Sequence, residues 1–149
     1  FIGVADDLPP GPRRLHGFNR ALSEFGLHLD PRLMFRGDFT TESGAQCARQ
    51  LIHGGILPHA LFVLNDLMAI GALLALQEAG LRVPEDIAVM GFDDIPEAKI
   101  VRPMLTTIAQ DPRDIGLKLA NALFTRINDP DVPPSVLESP WKLVIRDSA

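Results

Sequence analysis

Cysteine is almost absent from this sequence. Cys47 stands alone, so no internal disulfide can form, which fits a reducing, cytoplasmic setting. Its neighbours Ala45, Ala48, Leu51 and Ile52 read as one helix face, where a packed thiol is expected rather than a nucleophile. A basic excess is also missing: 14 Lys and Arg stand against 19 Asp and Glu, a net charge of -5. A domain that neutralises phosphates carries a basic face, so direct nucleic-acid binding by these residues is not expected. The longest apolar run, Leu67 to Leu76, falls far short of the roughly 20 residues of a membrane span. No stretch has the pattern of a secretory signal, and no membrane partner is expected.

Catalytic signatures are missing as well. There is no Gly-x-Ser-x-Gly elbow, no His-Glu-x-x-His and no Gly-x4-Gly-Lys-Ser/Thr phosphate loop. His16, His28, His53 and His59 are scattered singly, none at metal-ligand spacing. No metal and no cofactor are expected. Asp93-Asp94 is the one acidic pair that could serve acid–base work, but it has no evident nucleophile or base beside it.

What is present is one domain's worth of chain. Its 149 residues, 46% hydrophobic and 22% charged, suffice for a single sizeable core. The opening Phe1-Ile2-Gly3-Val4-Ala5 reads as the inside of a buried strand, so the sequence is expected to be a piece of something longer.

Strand-length apolar runs alternate with helix-period segments. Strands are predicted at Phe1–Ala5, Leu33–Arg36, Ala60–Leu64 and Ile87–Gly91, with helices at Pro12–Phe25, Thr41–His53 and Asp66–Ala79 between them. Gly26, Gly54 and Gly80 follow the helices, where C-termini favour glycine. Successive βα units imply an α/β fold: a parallel sheet with right-handed crossovers, flanked by helices. Pro96–Val101 reads as a short helix and Leu105–Ile108 as a strand. A long helix is predicted from Asp111 to about Ile127, and a last strand at Trp141–Ile145.

Ligands of open parallel sheets bind beyond the C-terminal ends of the strands. Those ends carry Asp6-Asp7, Gly37-Asp38-Phe39, Asn65-Asp66 and Phe92-Asp93-Asp94. Helix capping accounts for one polar residue per junction, and Asp66 with one of Asp93 and Asp94 is assigned to it. Doublets at three junctions exceed that need, and two of the four junctions carry a phenyl ring. Carboxylates that accept hydroxyl or ring N–H groups, beside an aromatic face, suit a small polar ligand with an apolar side. Arg13-Arg14 lie at the same edge. Spacing leaves open which of the two points inward.

As an ordered set these segments resemble the effector-binding domain of the lactose-repressor (LacI/GalR) family of bacterial transcriptional regulators. The resemblance rests on Arg14-Leu15-His16-Gly17-Phe18, on Gly37-Asp38-Phe39-Thr40-Thr41-Glu42-Ser43-Gly44 and on Asn65-Asp66-Leu67-Met68-Ala69-Ile70-Gly71. Val83-Pro84-Glu85-Asp86-Ile87-Ala88-Val89-Met90-Gly91-Phe92-Asp93-Asp94 and Leu105-Thr106-Thr107-Ile108 with Gln110-Asp111 extend it. It implies a periplasmic-binding-protein-like core of two subdomains around an effector cleft, preceded by a helix-turn-helix headpiece. On this basis residues 1–103 form the C-terminal subdomain. Residues 104–134 cross to a mostly missing N-terminal subdomain, residues 135–149 return, and the headpiece is absent. Arg14 is expected to grip the effector, with Asn65 contacting it, Asp93 accepting its hydroxyl or ring N–H groups and Phe39 lying against it. Gln110 and Pro112 fall near the crossover. Pro112 replaces an aromatic of several members, which removes that contact. The region of Ile70 and Leu73, with Ala98–Val101, is expected at a homodimer interface, although core packing accounts equally for some of these side chains. The implied partners are a sugar or nucleobase effector and, through the headpiece only, operator DNA. A sugar-binding protein of an uptake system shares the fold, and a small enzyme working through Asp93 and Asp94 is a third reading.

Overall fold

The computed structural model describes residues 1–5 and 7–149; Asp6, one of the junction acids named above, lies outside the described residues. The element order is β1 (Ile2–Gly3), α1 (Gly11–Glu24), β2 (Phe35–Arg36), α2 (Thr41–His53), β3 (Ala60–Phe62), α3 (Asp66–Glu78), β4 (Ala88–Asp93), β5 (Thr106–Gln110), α4 (Pro112–Asn128) and β6 (Trp141–Val144). Short 3-10 turns at Pro31–Leu33 and Pro96–Lys99 precede β2 and β5. The second of these occupies the site of the expected short helix.

The strands lie in the order β2-β1-β3-β4-β5-β6. β1 and β2 pair in parallel, a single parallel bridge from Ile2 to Val63 joins them to β3, and β3, β4 and β5 continue in parallel. Only β6 runs antiparallel, with Thr107 opposite Val144. The parallel α/β class expected from the alternation is therefore the observed one.

Local chemistry explains the element bounds. Thr40 caps α2 by accepting the Ser43 N–H at 3.2 Å, and Asn65 caps α3 by accepting the Met68 N–H at 3.0 Å. Asp111 caps α4 by accepting the N–H groups of Arg113 and Asp114, with Pro112 at the first helical position. Helices α2 and α3 pack backbone to backbone. Gly44 abuts the Met68 main chain and Gly71 abuts the Thr41 carbonyl, where a Cβ would overlap in either case. Ile2, Leu61, Leu64, Met68, Leu76 and Val89 fill the core around this contact.

Within the stretch 104–134, Leu105 is fully buried and β5 is hydrogen-bonded to β4, with Met90 opposite Thr106. The strand belongs to the present sheet because its β-branched residues continue the hydrophobic layer. Helix α4, which follows, contains no buried residue.

Candidate functional site

The C-terminal ends of β1 to β4 bring the candidate residues to one edge. Arg14 sits in the first turn of α1, on the side of Phe18 that faces the sheet, whereas Arg13 is exposed. This resolves which arginine points inward. Its guanidinium lies over the Phe92 ring, 3.5 Å from carbon Cζ to the ring centroid, and donates to the Leu64 carbonyl at the end of β3. It also faces Asp93 at 3.9 Å.

These contacts set the electrostatics. Burial pulls the Arg14 pKa down, while Asp93 and Asp66 push it back up. Burial raises the Asp93 pKa against the opposing pull of Arg14, and the charge of Asp66 raises it further. The Asp93 side chain keeps 42% exposure, so a desolvated but reachable acceptor stands beside a donor-rich cation. That pair can hold a ligand hydroxyl, carbonyl or ring N–H by charge-assisted bonds.

Phe39 and Asn65 join the same edge. Phe39 has a positive φ of 71° and sits half-buried against the core. The Asn65 amide nitrogen donates to the Phe39 carbonyl at 3.1 Å, while its oxygen caps α3. Asn65 thus fixes the phenylalanine's backbone, and one amide hydrogen and one lone pair remain for a ligand. Asp38 is engaged in its own turn, taking the Thr40 hydroxyl at 2.5 Å and the Thr40 N–H at 3.1 Å, and the hydroxyl bond leads in lowering its pKa. Next to the edge, a groove of about 680 Å³ runs between α1 and β6, lined by Phe18, Phe62, Phe92, Ile108 and Trp141.

These residues share one edge of the sheet in a chain that matches the periplasmic-binding-protein-like domain over residues 1–149. The chain belongs to that family. Among similar proteins is the HTH-type transcriptional repressor PurR of Pasteurella multocida, 41% identical over 135 residues, which are 91% of this chain and 40% of the repressor. The structure of a transcriptional regulator CelR–cellobiose complex superposes with a TM-score of 0.94 at 35% identity, covering 99% of this chain and 45% of that one. A Lac repressor bound to ONPG in the repressed state gives a TM-score of 0.90 at 34% identity, covering 99% and 44%. This periplasmic-binding-protein-like domain, of the LacI/GalR regulator type, thus spans less than half the length of the repressors it matches.

Other expectations divide. Ile70 is only 8% exposed and Leu73 not at all, so their side chains pack within the domain rather than on a surface for a second copy. The exposed apolar residues nearby are Leu74 and Ile100, and Val101 is half-buried against the core. Asp66, assigned to capping, is not the cap: Asn65 is, and the Asp66 side chain is fully buried and turned away. Arg146 escaped sequence reasoning, and Phe92 was read there only as a ring beside the acid pair. Phe92 carries the Arg14 cation, and Arg146 pairs with Asp94 while donating to the Leu105 carbonyl at 2.7 Å. The Phe92 signal was visible as a ring beside the acid pair; Arg146 lies 52 residues away and gave none. Among the described residues no group of three or more His, Cys, Asp or Glu could hold a metal. None of the described helices is long and apolar enough to cross a membrane.

Proposed function

We propose that this domain is the effector-sensing part of a LacI/GalR-type transcriptional regulator, with Arg14, Phe39, Asn65 and Asp93 contributing one lip of the effector cleft. The observation that carries the reading is the Arg14–Asp93 pair at the ligand edge of the sheet, with an acceptor still reachable. Its relatives are repressors, not enzymes, and the site's inventory is one of donors and acceptors without a nucleophile. The effector is a small polar molecule with an apolar face, a sugar or a nucleobase. The second lip, the headpiece that reads operator DNA and the coupling between them belong to the rest of the regulator. The regulator acts in the cytoplasm as a homodimer.

The mechanism is linkage. An effector that touches both subdomains prefers one closure state, and operator affinity follows that preference by the same free energy. Asp93 is the acceptor that makes the preference depend on ligand chemistry.

The deciding experiment is calorimetric titration of hypoxanthine, guanine, cellobiose and D-galactose into the full-length regulator, with operator retardation measured alongside. Asp93→Ala is expected to abolish the response to whichever compound binds while operator binding persists. An unchanged response overturns the site assignment. Specific operator retardation by the 149-residue chain alone overturns the division of labour.

A further inference from the structure

Asp66 is fully buried, and burial pushes its carboxyl above the usual range. Nothing in the ligand edge as described requires an acid there. Its two oxygens are engaged in different directions. Oδ1 accepts the Thr107 hydroxyl of β5 at 2.6 Å, and Oδ2 accepts the Ile95 backbone N–H at 3.0 Å. The Asp94 backbone N–H also pulls the carboxyl's pKa back down. Gly91 makes the room, since a Cβ on it would overlap Oδ1.

The segment held in this way is the one that carries the site's acceptor. Asp93 and Asp94 both have positive φ, 123° and 56°, a region that L-residues with a Cβ occupy only when their surroundings impose it. The Asp66 carboxylate accepts the Ile95 N–H, two residues beyond Asp93, and β5 holds the carboxylate through Thr107. On the other flank, Arg146 pairs with Asp94.

We propose that Asp66 is a positioning residue of the effector site, holding the turn after β4 so that the Asp93 carboxylate faces Arg14, with Thr107 orienting Asp66 through its hydroxyl. The consequence for ligand affinity rests on the reading of Asp93 as the effector's acceptor; the geometric part does not. The requirement is specific: one side chain must accept from a backbone N–H and also meet a hydroxyl. Asparagine can do this, because its oxygen takes the Ile95 N–H while its NH2 donates to the Thr107 oxygen. Alanine cannot, and valine at 107 leaves Oδ1 buried without a partner.

The test uses the full-length regulator and the variants Asp66→Ala, Asp66→Asn, Thr107→Val and Thr107→Ser. Kd for hypoxanthine and cellobiose is read by calorimetry, and crystal structures of the wild type and Thr107→Val are compared. Asp66→Ala and Thr107→Val are expected to weaken the binding probe by roughly tenfold or more, the loss of a bond to a charged group. Asp66→Asn and Thr107→Ser are expected within about threefold of wild type, a rescue that a loss of bulk packing does not predict. In the Thr107→Val structure the Asp93 carboxylate is expected to have left its place beside Arg14. If Asp66→Ala does not fold, the isosteric Thr107→Val carries the test alone. Asp93 unmoved in Thr107→Val overturns the proposal, as does undiminished affinity in that variant. If neither probe binds the wild type, the choice of probes has failed, and the crystallographic comparison still decides whether the turn is held as proposed.

Discussion

The Arg14 guanidinium carbon lies 3.5 Å from the centroid of the Phe92 ring, so the cation that faces Asp93 rests on an aromatic plane. The guanidinium over the ring also reaches both Asp93 and the Leu64 carbonyl. Phe92→Leu keeps the volume and removes the quadrupole. It is expected to cost about 0.5–2 kcal/mol of stability by urea denaturation, the range for a partly desolvated cation–π contact. Arg14→Lys keeps the charge but not the planar fork. Ligand affinity by calorimetry is expected to fall by about tenfold in that variant while stability changes less than in Phe92→Leu.

The close approach of α2 and α3 makes glycine substitutions opposite in sign at different places. Alanine normally helps a helix by about 1 kcal/mol over glycine. At Gly44 and Gly71, however, the new methyl would meet the main chain of Met68 or Thr41, which cannot turn aside as a side chain can. Gly44→Ala and Gly71→Ala are expected to destabilise by roughly 2 kcal/mol or more. Gly17→Ala in α1 meets open space and is expected to stabilise by about 0.5–1 kcal/mol. Equilibrium unfolding of the three variants side by side checks the reversal.

Much of this was legible in local signals. Thr40 and Gly54 bracket α2 at the expected residues, and the strand ends brought Phe39, Asn65 and Asp93 to one edge because parallel topology leaves little choice. Spacing could not choose Arg14 over Arg13; the contact of Arg14 with Phe92 shows which one points inward. The remainder depends on contacts between residues far apart in the chain. Asp66 looked like a cap because Asp follows a strand there, but its carboxylate reaches Thr107, 41 residues on. The resemblance put Leu73 in a region expected at a homodimer interface with core packing as the alternative, and its side chain is fully buried within the chain. That β5 pairs with β4 on one side and β6 on the other depends on such contacts too.

Acid sensitivity has an assignable part at the turn before β4. The Arg82 side chain donates to both Asp86 carboxylate oxygens, and these bonds lead in holding the Asp86 carboxyl down to about 2, below the ordinary value of 3.8. A depressed acid contributes stability that is present above the unfolded value and lost as pH falls through the folded one. Between about pH 4 and pH 2 the wild type is therefore expected to lose this contribution. Arg82→Ala keeps only the backbone N–H bond to Asp86 and is expected to show a shallower loss across the same window. Both groups are exposed to solvent, so added salt is expected to shrink the difference. Thermal unfolding at stepped pH and two ionic strengths measures both effects.

Helix α4 is well capped yet unsupported. Across its 17 residues none is buried, and Leu117, Leu123, Phe124 and Ile127 are each more than 60% exposed. Helices in proteins draw most of their stability from packing an apolar face rather than from propensity, so caps alone leave such a helix marginal. In the LacI/GalR reading, the partner for that face is the N-terminal subdomain. Two hydrogen-exchange measurements separate this from a helix that stands on its own. In the 149-residue chain the α4 amides are expected to exchange with protection far below those of α3, whose residues are mostly buried. In the full-length regulator they are expected to approach the protection of α3, because the apolar face is then covered. Equal and low protection in both proteins would mean that the face finds no partner there, and the crossover assignment of this helix would have to be withdrawn.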